Sequence, residues 1–330
     1  MNLYFFPAIS GSYLSQVPNL PKEMKFWCDE SPIGYHKVML SYGSVLSSKN
    51  EIKKDDIRQC DALVFVDSGG LQTFTTGLSV NIHDLIEYQN DMADWALSLD
   101  YAPAGVNDSM STVSLDKIKK YAMMTGENNK IMIDKLNKPL WGILHGNTYE
   151  QMEIWYKYAL EDYISNFYGI AVSFRPKTNF EAMARQMLFL YEHGIKRVHI
   201  LGAGNDRAML IAAGILKKGY FDLISMDTST NSFSAAYAFL YFNGKYLYVG
   251  RKKEGNFMCH CPVCQRFKFL DSKYYDTGWY VKLTLHNLWR LIDFYDYVYN
   301  IYNSGDLMEV LKERNLYGYI RYLENIDGWL

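Results

Sequence analysis

Eight short apolar runs, most of them stopping at a polar residue or a glycine, leave this chain few folds to choose from. They are "LYFF" (3–6), "KVMLSY" (37–42), "ALVFVD" (62–67), "WALSLD" (95–100), "LWGILHG" (140–146), "YGIAVS" (168–173), "RVHILGAG" (197–204) and "LISMD" (223–227). Between most of them lie segments with helical periodicity, such as "TYEQMEIWYKYALED" and "FEAMARQMLFLYEHG". Near-continuous apolar strands alternating with helices imply parallel strands covered on their outer side. Eight such units predict an α/β fold, a (β/α)8 TIM barrel over residues 1–244, with an open doubly wound sheet as the alternative. At 330 residues and 49% hydrophobic content the chain can bury a core of that size.

In a barrel all strands aim their carboxyl ends at one face, where active sites are built. That rule gathers Asp67 with Ser68, Asp100, His145 with Gly146, Ser173, Gly202 with Gly204, and Asp227 at one mouth. In "VFVDSGGLQTF" (64–74) the apolar run meets an acid, a serine and two glycines, which allow a sharp turn or a close backbone approach. One acid after a strand reads as a helix cap or turn former. Three aspartates closing three strands point instead to a site. Two carboxylates at a barrel mouth suit glycosidic chemistry, one as nucleophile and one as acid and base. The sugar and the leaving group stay open at this level.

The net charge of −2 carries no global nucleic-acid signature, so a polyanion would need a local patch. "MNLYFFPAISGSYL" lacks a basic leader and a signal-length apolar run, and no segment reaches a membrane span. A soluble cytoplasmic protein is expected. Of the five cysteines, Cys28 and Cys60 are isolated and read as small buried hydrophobes. Cys259, Cys261 and Cys264 form C-x-C-x-x-C, which in such a chain reads as metal ligation. His260 is poorly placed inside the knuckle. His286 lies in "LTLHNLWRLIDFYDYVYNIYN", an amphipathic helix that can return it to the thiolates. Three thiolates and one imidazole describe a closed, structural Zn2+ site.

From Lys245 to Lys273 seven basic residues (Lys245, Arg251, Lys252, Lys253, Arg266, Lys268, Lys273) face two acidic ones, Glu254 and Asp271. Such a run is a solvated surface or a phosphate-backbone track, with Lys245, Arg251, Lys252, Lys253, Arg266 and Lys268 as its candidate contacts. Ten tyrosines follow residue 273, most explained by helix packing, one or two available to stack on bases. The expected organisation is a barrel over 1–244, a zinc-binding part over 245–290, and C-terminal helices packing on the barrel over 291–330.

These motifs carry a resemblance. "VDSGGLQTF" resembles the D-S-G-G-F-Q signature of the tRNA-guanine transglycosylases, and the C-x-C-x-x-C with a helix histidine looks like their zinc site. "MDTSTNSFSAAYAFLYFNGKYL" is similar to an F-D-S-A-S-Y…GRY segment of the archaeal branch, while "YGIAVSF" and "HILGAGN" occupy the places of its sixth and seventh strands. The resemblance spans residues 64 to 286. It implies a (β/α)8 barrel with a zinc subdomain and a base exchange in which guanine leaves a polynucleotide and a 7-deazaguanine replaces it. It makes Asp227 the nucleophile on the sugar C1′ and Asp67 the general acid and base. Asp100 would read the N1 and N2 donors of the base. Ser68, Gly69 and Gly70 would shape the pocket floor, Gly169 and Ile170 offer main-chain groups, and Leu71 and Leu201 flank the base beside Gly202.

Four departures shape the expectation. "LHGN" puts His145 where the family has a glutamine on the base carbonyl, and Ser173 with Phe174 replace a G-E pair. The bacterial L-P-T-R-N-A-R run that grips tRNA is absent, and little chain follows the zinc helices. The chain therefore looks more like the DNA-modifying branch found in phages and genomic islands. Exchange on DNA is the expectation, with the target base flipped or single-stranded. Exchange on tRNA and a silent nucleic-acid-binding subunit are the alternatives. The resemblance also implies a possible homodimer through the zinc region, or helper proteins.

Overall fold

The computed structural model, described over residues 2–48, 50–70, 77–104, 110–173, 180–242, 245–249, 259–268 and 278–304, is built around a closed ring of eight parallel strands. The strands are β1 (Leu3–Ile9), β2 (Lys37–Ser41), β3 (Leu63–Asp67), β4 (Trp95–Leu97), β5 (Leu140–Leu144), β6 (Gly169–Ser173), β7 (Arg197–Leu201) and β8 (Leu223–Thr228). Neighbours pair in chain order, and β1 pairs β8 with Phe6 opposite Asp227, closing the ring. Helices Ile82–Met92, Leu115–Lys135, Tyr149–Trp155, Phe180–Glu192 and Asp206–Lys217 lie between strands. The fold is the (β/α)8 barrel that the eight runs predict, not the open sheet.

Period-two alternation explains how such apolar strands divide their side chains. Phe6, Met39, Phe65, Trp95, Trp141 and Ile143 fill the interior as one cluster. Alternate residues such as Phe5, Leu40, Val64, Val172 and Ile200 belong to the larger core shared with the helices. The interior is largely aromatic: Phe6 packs on Phe65 at 5.5 Å and Trp95 on Trp141 at 5.4 Å between ring centres. A filled floor leaves chemistry only at the carboxyl rim. Asn81, Ser114, Thr148 and Asn205 start their helices by accepting backbone N–H bonds that would otherwise go unpaired.

After β8 come the helix Thr230–Ala236, an antiparallel ribbon of β9 (Phe239–Phe242) and β10 (Lys245–Tyr248), the short helix Pro262–Phe267, and the long helix Trp279–Ser304. The long helix packs on β1, β9 and the helices Asp206–Lys217 and Thr230–Ala236. Tyr295 donates from its hydroxyl to Leu3 O at 2.5 Å, tying it to the first strand. This helix runs unbroken through residue 290, where the sequence reading divides the zinc part from the terminal helices. One element therefore carries His286, the histidine of the Cys259, Cys261 and Cys264 cluster, and docks on the barrel.

Cys28 and Cys60 correct the sequence expectation. They are joined in a disulfide across 32 residues, with Cα atoms 5.2 Å apart. Trp27 Nε1 donates to Ile57 O at 3.0 Å and Lys25 Nζ to Asp56 O at 3.1 Å, which pins the loop after β1 against the helix Lys54–Arg58. That juxtaposition is tertiary and has no local sequence mark. Among the described residues no helix is long and apolar enough to cross a membrane.

Candidate active site and metal centre

Along β8 the inward positions Leu223, Ser225 and Asp227 climb from the floor to the rim. Asp227 Oδ1 accepts the Gly202 N–H at 2.7 Å and lies 3.3 Å from His199 Nε2. Gly202 has φ +72°, a conformation that glycine takes without steric cost, and this turn aims its amide at the carboxylate. His199 Nδ1 lies 2.8 Å from Ser225 Oγ, and the buried imidazole sits among Phe6, Phe65 and Trp141. A tautomer with the proton on Nε2 would donate to Asp227 and accept from the Ser225 hydroxyl. Among the described residues no hydrogen bond reaches Asp227 Oδ2. One oxygen is held, the other is free to react.

Asp67 ends β3 two residues above Phe65, on the same inward face. It keeps some access at the rim, but the protein packed around it dominates. Burial pushes its carboxyl up to about 7, and the charges of Asp100 and Asp227 act in the same direction. It is thus poised to hold or release a proton near neutrality.

The two glycines that follow answer to packing. Gly69 has φ +83°, and a Cβ there would come 2.4 Å from Gly43 N, in the turn after β2. A Cβ on Gly70 would come 2.3 Å from Asp100 Oδ1 and 2.8 Å from Asp100 O. The loop after Asp67 can only lie where it does because nothing projects toward that carboxylate. Ser68 is buried, and its Oγ has no hydrogen-bond partner among the described residues.

Asp100 and His145 form a buried pair, Oδ2 to Nε2 at 2.7 Å. The His145 ring packs edge-on against Trp155 at 4.6 Å, and Trp155 Nε1 donates to Ile143 O at 2.7 Å, fixing the wall behind it. His145 therefore spends Nε2 on Asp100. It orients the acid.

After the barrel in sequence, Cys259, Cys261, Cys264 and His286 bring their ligand atoms within 4.8 Å of one another. His286 Nδ1 lies 3.8, 3.3 and 3.2 Å from the three sulfurs in that order. A tetrahedral ion with typical zinc bond lengths would set sulfur and nitrogen roughly 3.6 Å apart, so the cage fits a metal of that size. His286 Nε2 lies 3.0 Å from Tyr241 O, which leaves Nδ1 as the ligand atom. Arg290, one turn along, donates to Cys259 Sγ at 3.2 Å.

Other sequence candidates fall elsewhere. Gly169 and Ile170 begin β6 and lie at its amino end, away from the mouth. A Cβ on Gly169 would come 2.5 Å from the Trp141 ring, and buried Ile170 belongs to the outer core, so both serve packing and neither reaches a base. Leu201 closes β7 at the mouth. Arg266 is exposed and 3.7 Å from Glu23 Oε2, and exposed Lys268 caps its helix with φ +47°. Lys245 lies on β10. Leu71, Arg251, Lys252 and Lys253 lie outside the described residues. His199 is the residue that sequence reasoning passed over; its signal was a lone polar side chain at an inward position of an apolar strand.

No protein-family model matches the chain, and no curated protein matches it.

Proposed function

We propose that this protein exchanges guanine in DNA for a 7-deazaguanine, such as 7-cyano-7-deazaguanine, through a covalent aspartyl–sugar intermediate. The observation that carries this reading is the opposite treatment of two carboxylates in one mouth. Asp227 is oriented by the Gly202 amide and His199 on one oxygen, which suits a nucleophile, while burial pushes the Asp67 carboxyl up to about 7, which suits a proton carrier. A carboxyl raised in this way can carry the proton that the leaving base needs, and the other serves as nucleophile.

In the first half, Asp227 Oδ2 attacks the sugar C1′, the bond from C1′ to the guanine nitrogen breaks, and Asp67 gives its proton to the departing base. In the second, the incoming base returns a proton to Asp67 and its ring nitrogen attacks C1′, releasing Asp227. Two displacements restore the starting configuration. Asp100, oriented by His145 and backed by Gly70, accepts hydrogen bonds from the N1 and N2 donors that a guanine carries and an adenine lacks. Ser68 has a buried hydroxyl available for the base.

The four-ligand cage suits Zn2+, and four protein ligands leave no open position, so its role is structural. It would fasten the knuckle to the long helix, and through that helix to the barrel. A nucleic-acid substrate puts the protein in the cytoplasm, where the Cys28–Cys60 link would stand reduced. DNA is favoured over tRNA because the chain lacks the arginine run with which the resembling bacterial enzymes grip tRNA.

The test is incorporation of labelled 7-cyano-7-deazaguanine into DNA or bulk tRNA, with Asp227→Asn as control. Label in DNA from the native protein alone is the expected result. Label in tRNA only would move the substrate to RNA, and label in neither would reject the proposed exchange.

A further inference from the structure

The segment that leaves the nucleophile's strand exposes aromatic rings where a solvated face would be polar. In the helix Thr230–Ala236 the residues Asn231, Ser232 and Ala235 are buried, so its outward positions are Phe233, Ala236 and, at the cap, Tyr237. Phe233 is 61% exposed and Tyr237 69%, one helical turn apart. The chain then turns at Ala238, with φ +58°, into β9. There Phe239 (36% exposed) faces Tyr248 (63%) across the ribbon, ring centres 5.6 Å apart. The Val249 N–H donates to Ala238 O at 2.8 Å, which holds the end of the ribbon against the end of the helix. Four of the seven exposed large hydrophobic side chains among the described residues thus fall within sixteen positions of the sequence.

Packing gives no account of them, because the buried face of the same helix already docks on the long helix Trp279–Ser304. Their position does suggest one. Asp227 lies three residues before the helix begins, and seven helical residues rise about 10 Å, so the backbone of Phe233 and Tyr237 lies within roughly 20 Å of that of Asp227. The same ribbon carries Lys245, and the sequence continues into Arg251, Lys252 and Lys253. Exposed aromatic rings close in sequence to a basic stretch suit single-stranded nucleic acid, whose bases stack on such faces.

We infer that Phe233, Tyr237, Phe239 and Tyr248 form a stacking platform for unpaired DNA bases flanking the exchanged nucleotide. This rests on the nucleic-acid reading above and adds the contact that would hold a strand open beside the mouth. Stacking is tolerant of sequence, so the platform supplies affinity and leaves base identity to Asp100.

The experiment is a fluorescence-anisotropy titration of a labelled mixed-sequence DNA strand of about twelve nucleotides, within the span such surfaces cover, with the full chain. Phe233→Ala/Tyr237→Ala and Tyr248→Ala are compared with native protein. Tyr149→Ala, an exposed aromatic on the helix Tyr149–Trp155, serves as control. The platform predicts about 5- to 150-fold weaker binding per stacked ring removed, near-native binding for Tyr237→Phe and Tyr149→Ala, and an unchanged salt dependence. Equal binding by native and platform variants overturns the inference and leaves the exchange reading standing. So does a changed oligomeric state by sedimentation at constant DNA affinity, which would assign the rings to a second copy of the chain. Failure of the native protein to bind any strand, DNA or tRNA, overturns both.

Discussion

His199 Nε2 stands 3.3 Å from Asp227 Oδ1, and the other nitrogen of the same ring stands 2.8 Å from Ser225 Oγ. Ser225 and Asp227 are alternate residues of one strand, so the imidazole bridges two rungs of β8 from its place on β7. The orientation of the proposed nucleophile is thereby set from inside the aromatic floor of the barrel, where the ring packs on Phe6, Phe65 and Trp141.

His199→Phe should keep the ring volume among Phe6, Phe65 and Trp141 while removing the donor to Asp227. A hydrogen bond to a charged group contributes about 1.5–3 kcal/mol, so kcat should fall roughly 10- to 150-fold with little change in KM. His199→Gln, which retains an N–H donor, should recover part of the loss. A Phe variant with native kcat would show that His199 only fills space.

Asp67 should leave a mark on stability as well as on rate. Its folded pKa, about 7, lies above its ordinary value, so between about pH 4 and 7 the folded state binds more protons than the unfolded one. Its contribution is fully present below the unfolded pKa and is lost as pH rises to 7. Asp67→Asn should therefore raise the melting temperature at pH 7.5 more than at pH 4.5 and abolish exchange; thermal melts at the two pH values check it.

Gly70→Ala should impair recognition without unfolding the barrel. The added methyl would press on Asp100 Oδ1 and on its backbone oxygen, so the acid or the loop must shift. Overpacking of this kind costs about 1–3 kcal/mol, and much of it should appear as a raised KM for the incoming base. Measured KM and circular dichroism together decide, and a native KM would place Asp100 away from the base.

One metal ion per chain should be found by elemental analysis, and zinc is expected. Cys264→Ser or prolonged chelation should remove it and lower the melting temperature by several degrees, because His286 sits on the helix that also ties Tyr295 to Leu3. A metal-free native protein with an unchanged melt would contradict the structural role.

The Cys28–Cys60 bond closes a loop of 32 residues, for which chain entropy predicts a stabilisation of about 3–4 kcal/mol. Denaturant unfolding with and without reductant, and of Cys60→Ser, measures it. Equal midpoints would show that the link contributes nothing.

The barrel was legible because buried parallel strands write themselves as apolar runs, and eight of them fill a ring. Asp67, Asp100 and Asp227 were legible because an acid at the end of such a run breaks its pattern. What escaped was tertiary. Gly169 looks like a pocket glycine in sequence, yet it exists to admit the Trp141 ring. The pairing of His145 with Asp100, 45 positions away, has no local sequence mark. Cys28 finds Cys60 only because Trp27 and Lys25 pin their loop to another helix. The exposed rings of Phe233 and Tyr237 could have been core residues until the buried face of their helix was known.

The central claim is that Asp227 becomes covalently bound to the sugar. Native protein incubated with guanine-containing DNA, quenched in denaturant and digested, should yield the Asp227 peptide carrying the nucleotide strand less one guanine by mass spectrometry. Asp227→Asn should yield neither that adduct nor released guanine. Guanine release or base exchange that continues undiminished in Asp227→Asn would contradict the account.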